Sequence, residues 1–247
     1  MKANIEAMRA LAYVVAAAHD AATRHPDENE RKRNQAFVDF MIPIVKGWLT
    51  ETGNEIAYLG VQVHGGMGFI EETGAAQHMR DARITTIYEG TTGIQANDLI
   101  GRKMAREGGA TLKAVVALMQ QTAEEVGKQA GPEFAAIKAA LARGLGAVGE
   151  AGGYIVTQYA SDVRAVAAGA VPFLKLMGIV CGGWAMARAA LAAQAKIAAG
   201  DGDPFYAAKI ATARYYADCV MPQAPALAQV IVNGGAATLA VADDMLG

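Results

Sequence analysis

The chain has 247 residues, 53% hydrophobic and 19% charged, which allows one packed domain or two small ones and is far from a disordered composition. With 24 acids against 22 bases the net charge is −2; residues 1–107 carry 12 bases and 14 acids and residues 108–247 carry 10 of each, so no basic face argues for nucleic acid or a membrane surface. Aromatics are scarce at 6% while alanine, glycine and methionine are plentiful, a mix that favours close-packed helices over a β-sandwich.

Ile5, Met8, Leu11 and Val15 recur at three- and four-residue spacing, which predicts a helix over 2–24. The charged stretch from His25 to Arg33 reads as a polar connection, with Pro26 as breaker. A long helix is expected over 34–63 on the stripe Phe37, Met41, Ile44, Trp48, Ile56, Leu59 and Val63, kinked at Pro43. The glycine-rich HGGMGFIEETG (64–74) then breaks the pattern as a loop. A short helix over 75–82 precedes RITTIYEGTTG (83–93), which has no second strand to pair with and reads as an ordered loop. Thr91 or Thr92 caps a helix running to about residue 106.

Gly108-Gly109 breaks the chain before a helix over 110–128, and Gly131-Pro132 restarts it. The stripe Phe134, Ile137, Leu141, Leu145, Val148, Ile155, Tyr159, Val163 and Val166 predicts one very long helix or a broken pair. Another helix is expected over 172–199. Asp203-Pro204 starts the last, on Tyr206, Ile210, Ala213 and Ala217, with Asn233-Gly234 as its C-terminal cap. The longest uncharged run, Cys219 to Ala242, holds two prolines and an Asn-Gly-Gly break and is rejected as a membrane span. The fold class is therefore all-α, with long antiparallel helices.

Generic motifs are few. His64-Gly65-Gly66-Met67-Gly68 lacks the Lys-Ser/Thr of a P-loop and follows a helix, so it is not a Rossmann turn. His19, His25, His64 and His78 form no i, i+4 pair, and no metal site is expected. Cys181 and Cys219 form neither a disulfide framework nor a metal motif; they read as buried structural thiols, a reducing, cytoplasmic compartment is expected, and the opening MKANIEAMRALAYVV lacks the long apolar stretch of a signal peptide. His64 reads as a packing or capping residue, Asp81 and Arg83 as a structural ion pair, and Trp48 and the methionines as core.

Two stretches resist a purely structural reading: Gln62-Val63-His64-Gly65-Gly66-Met67-Gly68-Phe69, and Arg80-Asp81-Ala82-Arg83-Ile84 running on to Ile87-Tyr88-Glu89-Gly90-Thr91-Thr92-Gly93-Ile94-Gln95. In order and spacing they resemble the two signatures of the C-terminal helical domain of the acyl-CoA dehydrogenase family, over about the first hundred residues. The resemblance implies α,β-dehydrogenation of an acyl-CoA thioester, with a carboxylate taking the α-proton while a hydride leaves the β-carbon for FAD. It places that carboxylate at Glu89, substrate approach at Gly90, and FAD contacts at Gln62, Gly65, Gly66 and Thr91. Chemically, a weakly acidic α-proton needs a base that is aligned and desolvated. Glycine N–H groups and a helix N-terminus suit a diphosphate. Many relatives carry Gln where this chain has Gly93, so one adenine or ribose contact is expected to be missing.

Residues from about 108 resemble the additional C-terminal segment of the family's long bacterial branch, in which 3-methylmercaptopropionyl-CoA dehydrogenase-like enzymes fall, so the resemblance implies a helical bundle domain over 1–107 and an additional helical domain over 108–247. Relatives that bind DNA use a basic C-terminal face, which this neutral tail lacks, so no nucleic acid is expected. The resemblance covers one of the family's three domains. The chain is therefore expected to be a C-terminal fragment, inactive alone, with FAD absent or weakly held. The alternative is a catalytically silent helical assembly module, or a split subunit needing a separate flavin-bearing chain. Expected partners are an acyl-CoA substrate, electron-transfer flavoprotein as acceptor, and further copies in a homodimer or tetramer.

Overall fold

The computed structural model describes residues 1–245, which are helical with no strand among them. Helix α1 (Lys2–Arg24) buries Ala3, Ala7, Leu11 and Val15, one residue per turn. Helix α2 (Glu28–His64) starts earlier than its apolar stripe announces. Asp27 is its N-cap, accepting from the Asn29 N–H at 2.8 Å, with Glu28 and Glu30 in the first turn. The charged stretch is thus mostly helix, and Asp27-x-x-Glu30 was its start signal. The helix continues through the buried Pro43.

The glycine-rich segment is more ordered than a plain loop. It holds the single-turn α3 (Gly66–Phe69) and a 3-10 turn over Glu71–Thr73. Helix α4 (Ala75–Arg83) runs into a 3-10 turn at Ile84–Thr86, and α5 (Thr92–Gly101) ends earlier than expected. Gly108 and Gly109 both take left-handed conformations, turning the chain into α6 (Ala110–Gly127).

The long stripe resolves into a broken pair. Helix α7 (Pro132–Gln158) stops, and Asp162 caps α8 (Val163–Ala168) by accepting from the Ala165 N–H at 3.0 Å. After α9 (Ala170–Ala198), Asp203 caps α10 (Pro204–Cys219). Asn233-Gly234 does not end that helix. The chain turns at Val220–Pro222, and α11 (Gln223–Leu239) runs straight through Asn233-Gly234-Gly235. A Cβ on Gly235 would lie 2.8 Å from the Ala165 carbonyl oxygen, so this glycine serves close packing of α11 on α8.

Helix α9 is the axis of the bundle. It is long and apolar enough to cross a membrane, with a mean hydropathy of 1.5, yet 83% of that window is buried inside the protein. It packs against helices from both halves, and one core extends from Ala3 to Ile231 across the Gly108-Gly109 turn. Trp48 of α2 fits a groove opened by Gly178 and Gly182 on α9. Two buried aromatic side chains are paired: the Trp184 indole N–H donates to Thr122 Oγ1 at 2.8 Å and the Tyr216 hydroxyl to the Ile179 carbonyl at 3.1 Å.

Two ion pairs cross the halves among the described residues, a long exposed one between Lys175 and Glu55 and a tighter one at Glu6. Lys209 Nζ of α10 lies 2.5 Å from Glu6 Oε2 of α1, both side chains less than a fifth exposed, and Lys2 also reaches Glu6. Burial raises the Glu6 carboxyl, but its bonds to Lys2 and Lys209 outweigh burial and the net shift is downward. A depressed folded-state value stabilises above the unfolded carboxylate range and is lost as pH falls through it. Glu6→Gln is therefore expected to cost about 1 kcal/mol at neutral pH in denaturant unfolding. The gap from the parent should close in acid; a gap constant with pH would contradict this.

Candidate functional site

The Glu89 loop is built from α2 outward. Three polar residues on the middle of α2 grip the segment from α4 to α5. Asn54 Nδ2 donates to the Ala82 carbonyl at 3.0 Å, Lys46 Nζ to the Gly90 carbonyl at 2.6 Å, and the Glu51 carboxylate accepts from the Thr92 hydroxyl at 2.5 Å. Within the loop, Thr85 donates to the Ala82 carbonyl and the Ile87 and Tyr88 N–H groups to the Ile84 carbonyl. Thr91 is the N-cap of α5, its hydroxyl accepting from the Ile94 N–H at 3.3 Å.

Glu89 stands apart in its backbone. Its φ is +53°, the left-handed region, and among the described residues no other non-glycine has a positive φ. Gly90 follows at +88°, a conformation only glycine holds without strain. A Cβ there would also come within 2.8 Å of the Gln95 amide nitrogen, which donates to the Glu89 carbonyl at 3.3 Å. Strain of this kind costs about 1–3 kcal/mol and persists only where the surroundings hold it. Glu89 is exposed, flanked by exposed Ile87, Tyr88 and Ile94. Among the described residues no protein acceptor takes the Glu89 N–H.

Gln62, Gly65 and Gly66 lie at the other end of α2, all exposed. Gly65 caps the helix at φ +61°, its N–H on the Gln62 carbonyl at 3.1 Å. Nothing lies within 4 Å of a Cβ built on Gly65 or Gly66, so both peptides face open space. Gly68 differs: its Cβ would lie 2.3 Å from the Val61 carbonyl oxygen, a packing requirement. Exposed Val63, Met67 and Phe69 surround this tip.

The two clusters are not brought together within one chain. Lys46, which touches Gly90, and Gly65 are 19 positions apart in sequence, or roughly 25–30 Å along a helix axis. A cleft of about 1080 Å³ between α1, α2, α6 and α9, lined by Phe37, Leu118, Trp184 and Arg188 among others, includes neither cluster. The sequence reading missed Lys46, Glu51, Asn54 and Gln95. Lys46 did carry a signal, as the one charge in the apolar run from Phe40 to Leu49.

Some structural expectations need correction. Asp81 and Arg83 form no ion pair: Asp81 accepts from Gln77 Nε2 at 2.7 Å, and Arg83 donates to the Thr86 hydroxyl. Residues two apart on a helix point to different faces. Cys181 is buried, its thiol pushed up to about 12 by burial, but Cys219 is exposed at the end of α10. Met67 and Met79 are exposed rather than core. His64 closes α2 with Nδ1 2.8 Å from the Gly60 carbonyl, as a capping residue does.

Comparison with known proteins gives a consistent result. Residues 1–105 match the family described as acyl-CoA dehydrogenase, C-terminal domain, and residues 109–242 match acetyl-CoA dehydrogenase C-terminal like. The chain is 42% identical to the 3-methylmercaptopropionyl-CoA dehydrogenase of Ruegeria pomeroyi over 95% of its own length and 40% of that protein's. It is 34% identical to a broad-specificity linear acyl-CoA dehydrogenase of Mycobacterium tuberculosis, over 93% of the chain and 39% of the relative. The chain thus spans about 40% of the length of these curated relatives. Its fold matches an acyl-CoA dehydrogenase of Bacillus anthracis solved with FAD, at a TM-score of 0.67 and 17% identity, over 99% of this chain and 42% of that one.

Proposed function

This chain belongs to the acyl-CoA dehydrogenase family, and from that premise we propose that it supplies the α-proton base, Glu89, of an FAD-dependent oxidation of acyl-CoA thioesters to 2-enoyl-CoA. The observation that carries this is the Glu89 backbone: a strained left-handed residue, held by partners on two helices, with a free N–H beside it. Covering Ile87, Tyr88 and Ile94 with an acyl chain excludes water from the carboxylate, the setting that abstraction of a weakly acidic α-proton needs. The Glu89 N–H then donates to the thioester carbonyl oxygen as the α-proton leaves, where negative charge develops.

The residues present fit FAD in two places. Gly65 and Gly66 offer uncovered peptide beside the Gln62 side chain, suited to ribose or diphosphate oxygens. Thr91 offers the N-terminus of α5, where N–H groups and the helix dipole favour phosphate. When bound, FAD supplies the acceptor for the β-hydride. Because the clusters are separated along α2, they serve two different flavins in a symmetric pair of subunits. A homodimer or tetramer passing electrons to electron-transfer flavoprotein completes the proposal.

The test begins with a visible absorption spectrum after FAD addition and desalting. A retained flavin band that bleaches anaerobically with butyryl-CoA is expected of any form of the protein that carries the complete site. Gly65→Val is expected to weaken FAD retention by tenfold or more, because a β-branched residue is strained at φ +61° and its side chain fills the open space. Undiminished retention in Gly65→Val would remove Gly65 from the cofactor contact.

A further inference from the structure

We propose that Lys46 is a positioning residue for Glu89, its ammonium holding the Gly90 carbonyl so that the left-handed Glu89–Gly90 turn keeps the carboxylate aimed for proton abstraction. The inference rests on Glu89 being the base and adds a residue 43 positions away on another helix.

Two successive positive φ values make this turn a conformation the chain leaves unless it is held. The carbonyls of Glu89 and Gly90 are the handles. Gln95 Nε2 reaches the first at a long 3.3 Å, whereas Lys46 reaches the second at 2.6 Å through a charge-assisted bond. Lys46 is half-buried on α2, in the apolar run that packs against the core. Among the described residues it forms no ion pair, and the Gly90 carbonyl is its hydrogen-bond acceptor. A lysine placed in such a run needs a partner to offset its partial desolvation. Here that partner is a backbone oxygen next to the strained residue, so the same bond stabilises both. Glu51, one and a half turns further along α2, secures Thr92 on the far side of Gly90. The turn is therefore pinned to the same helix at its second positive-φ residue and again two residues later, and a core-anchored helix sets where the Glu89 side chain starts.

Proton abstraction is sensitive to displacement of the base by about 1 Å, on the order of a hundredfold in rate. Lys46→Met keeps the length and apolar stem and removes the donor. In the 247-residue chain, backbone amide exchange across Glu89–Thr91 is expected to quicken at least tenfold while exchange in α9 is unchanged. In the FAD-loaded protein, kcat is expected to fall about 10–100-fold with KM for butyryl-CoA within about twofold, and the deuterium isotope effect from α-labelled substrate to grow as abstraction becomes slower. Lys46→Arg, which retains a cationic donor, should restore exchange, kcat and the isotope effect to within about threefold; should Lys46→Met fold poorly, Lys46→Gln, which shortens the stem and removes the charge, takes its place with the same expected readings.

Unchanged amide exchange in Lys46→Met overturns the proposal, and so does faster exchange with unchanged kcat. Failure of the underlying base assignment is seen separately: Glu89→Gln that still turns over removes the base, whatever Lys46 does, while the exchange data still report on the Gly90 bond.

Discussion

Glu89→Gln is expected to lower turnover about a thousandfold, within the usual range for removing a general base, while FAD content and melting temperature stay near those of the parent. The substitution keeps the shape of the side chain and the backbone N–H, and replaces only a basic oxygen by an amide that cannot take a proton. Stability should hardly move, because Glu89 is exposed and its carboxylate makes no hydrogen bond among the described residues. Substrate binding should hold as well, since the thioester contact comes from the main chain. Glu89→Asp makes the complementary point: the carboxylate survives but retreats by one methylene, and about a tenfold to hundredfold loss is expected. Stopped-flow reduction of the flavin under anaerobic acyl-CoA separates this step from product release. Retained rapid reduction in Glu89→Gln would place the base elsewhere.

Gly178→Ala should be the most damaging single-methyl change in the core. A Cβ there would sit 2.0 Å from Trp48 Cγ and 2.5 Å from Trp48 Cβ, far inside contact distance and against the rigid root of the indole. Trp48 cannot step aside easily, because the rim of its ring lies against Gly182, where a Cβ would be 2.6 Å from Cη2 and 2.5 Å from the Tyr216 hydroxyl. Overpacking of this kind costs about 3 kcal/mol or somewhat more. For a chain of this size that is a fall in melting temperature of about 6–12 °C. The partner substitution Trp48→Leu destabilises by itself through lost burial, but in combination with Gly178→Ala it frees the space the methyl needs. The double variant should therefore be more stable than the sum of the two costs, a coupling that thermal melts of the four proteins measure. A melting temperature within 2 °C of the parent for Gly178→Ala would mean that α2 and α9 are not this close.

Much of this architecture was readable from local rules. Apolar residues at helical spacing located the helices, and Thr91, Gly108-Gly109, Pro132 and Asp203-Pro204 marked turns and caps where the structure has them. Errors came where two local signals competed. The charges of 28–33 outweighed the capping signal of Asp27, and Asn233-Gly234 was given a terminating role although the chain had already turned at Val220–Pro222. Asp81 and Arg83 were paired by charge alone, without regard to the faces on which helix residues two apart must point.

The residue types of the site were legible because its motifs are contiguous: Gln62 to Gly66 and Tyr88 to Thr92 can each be read as one phrase. Local order also sufficed for the helical class, since a 3.6-residue period is visible within a dozen positions. The support of the Glu89 turn was not legible. Lys46, Glu51 and Asn54 reach their partners across 44, 41 and 28 positions, and no local pattern encodes which carbonyl a distant ammonium will meet. The left-handed backbone at Glu89 is of the same kind, because its cost is offset by Lys46 on α2, 44 positions from the carbonyl it holds, as well as by Gln95 close by in sequence. Likewise the distance between the two clusters depends on which residue of α2 meets the Glu89 loop, Lys46 at Gly90, a contact no local pattern encodes. Spacing along the chain settles what each segment is, while the distances between segments arise only when the helices share one core.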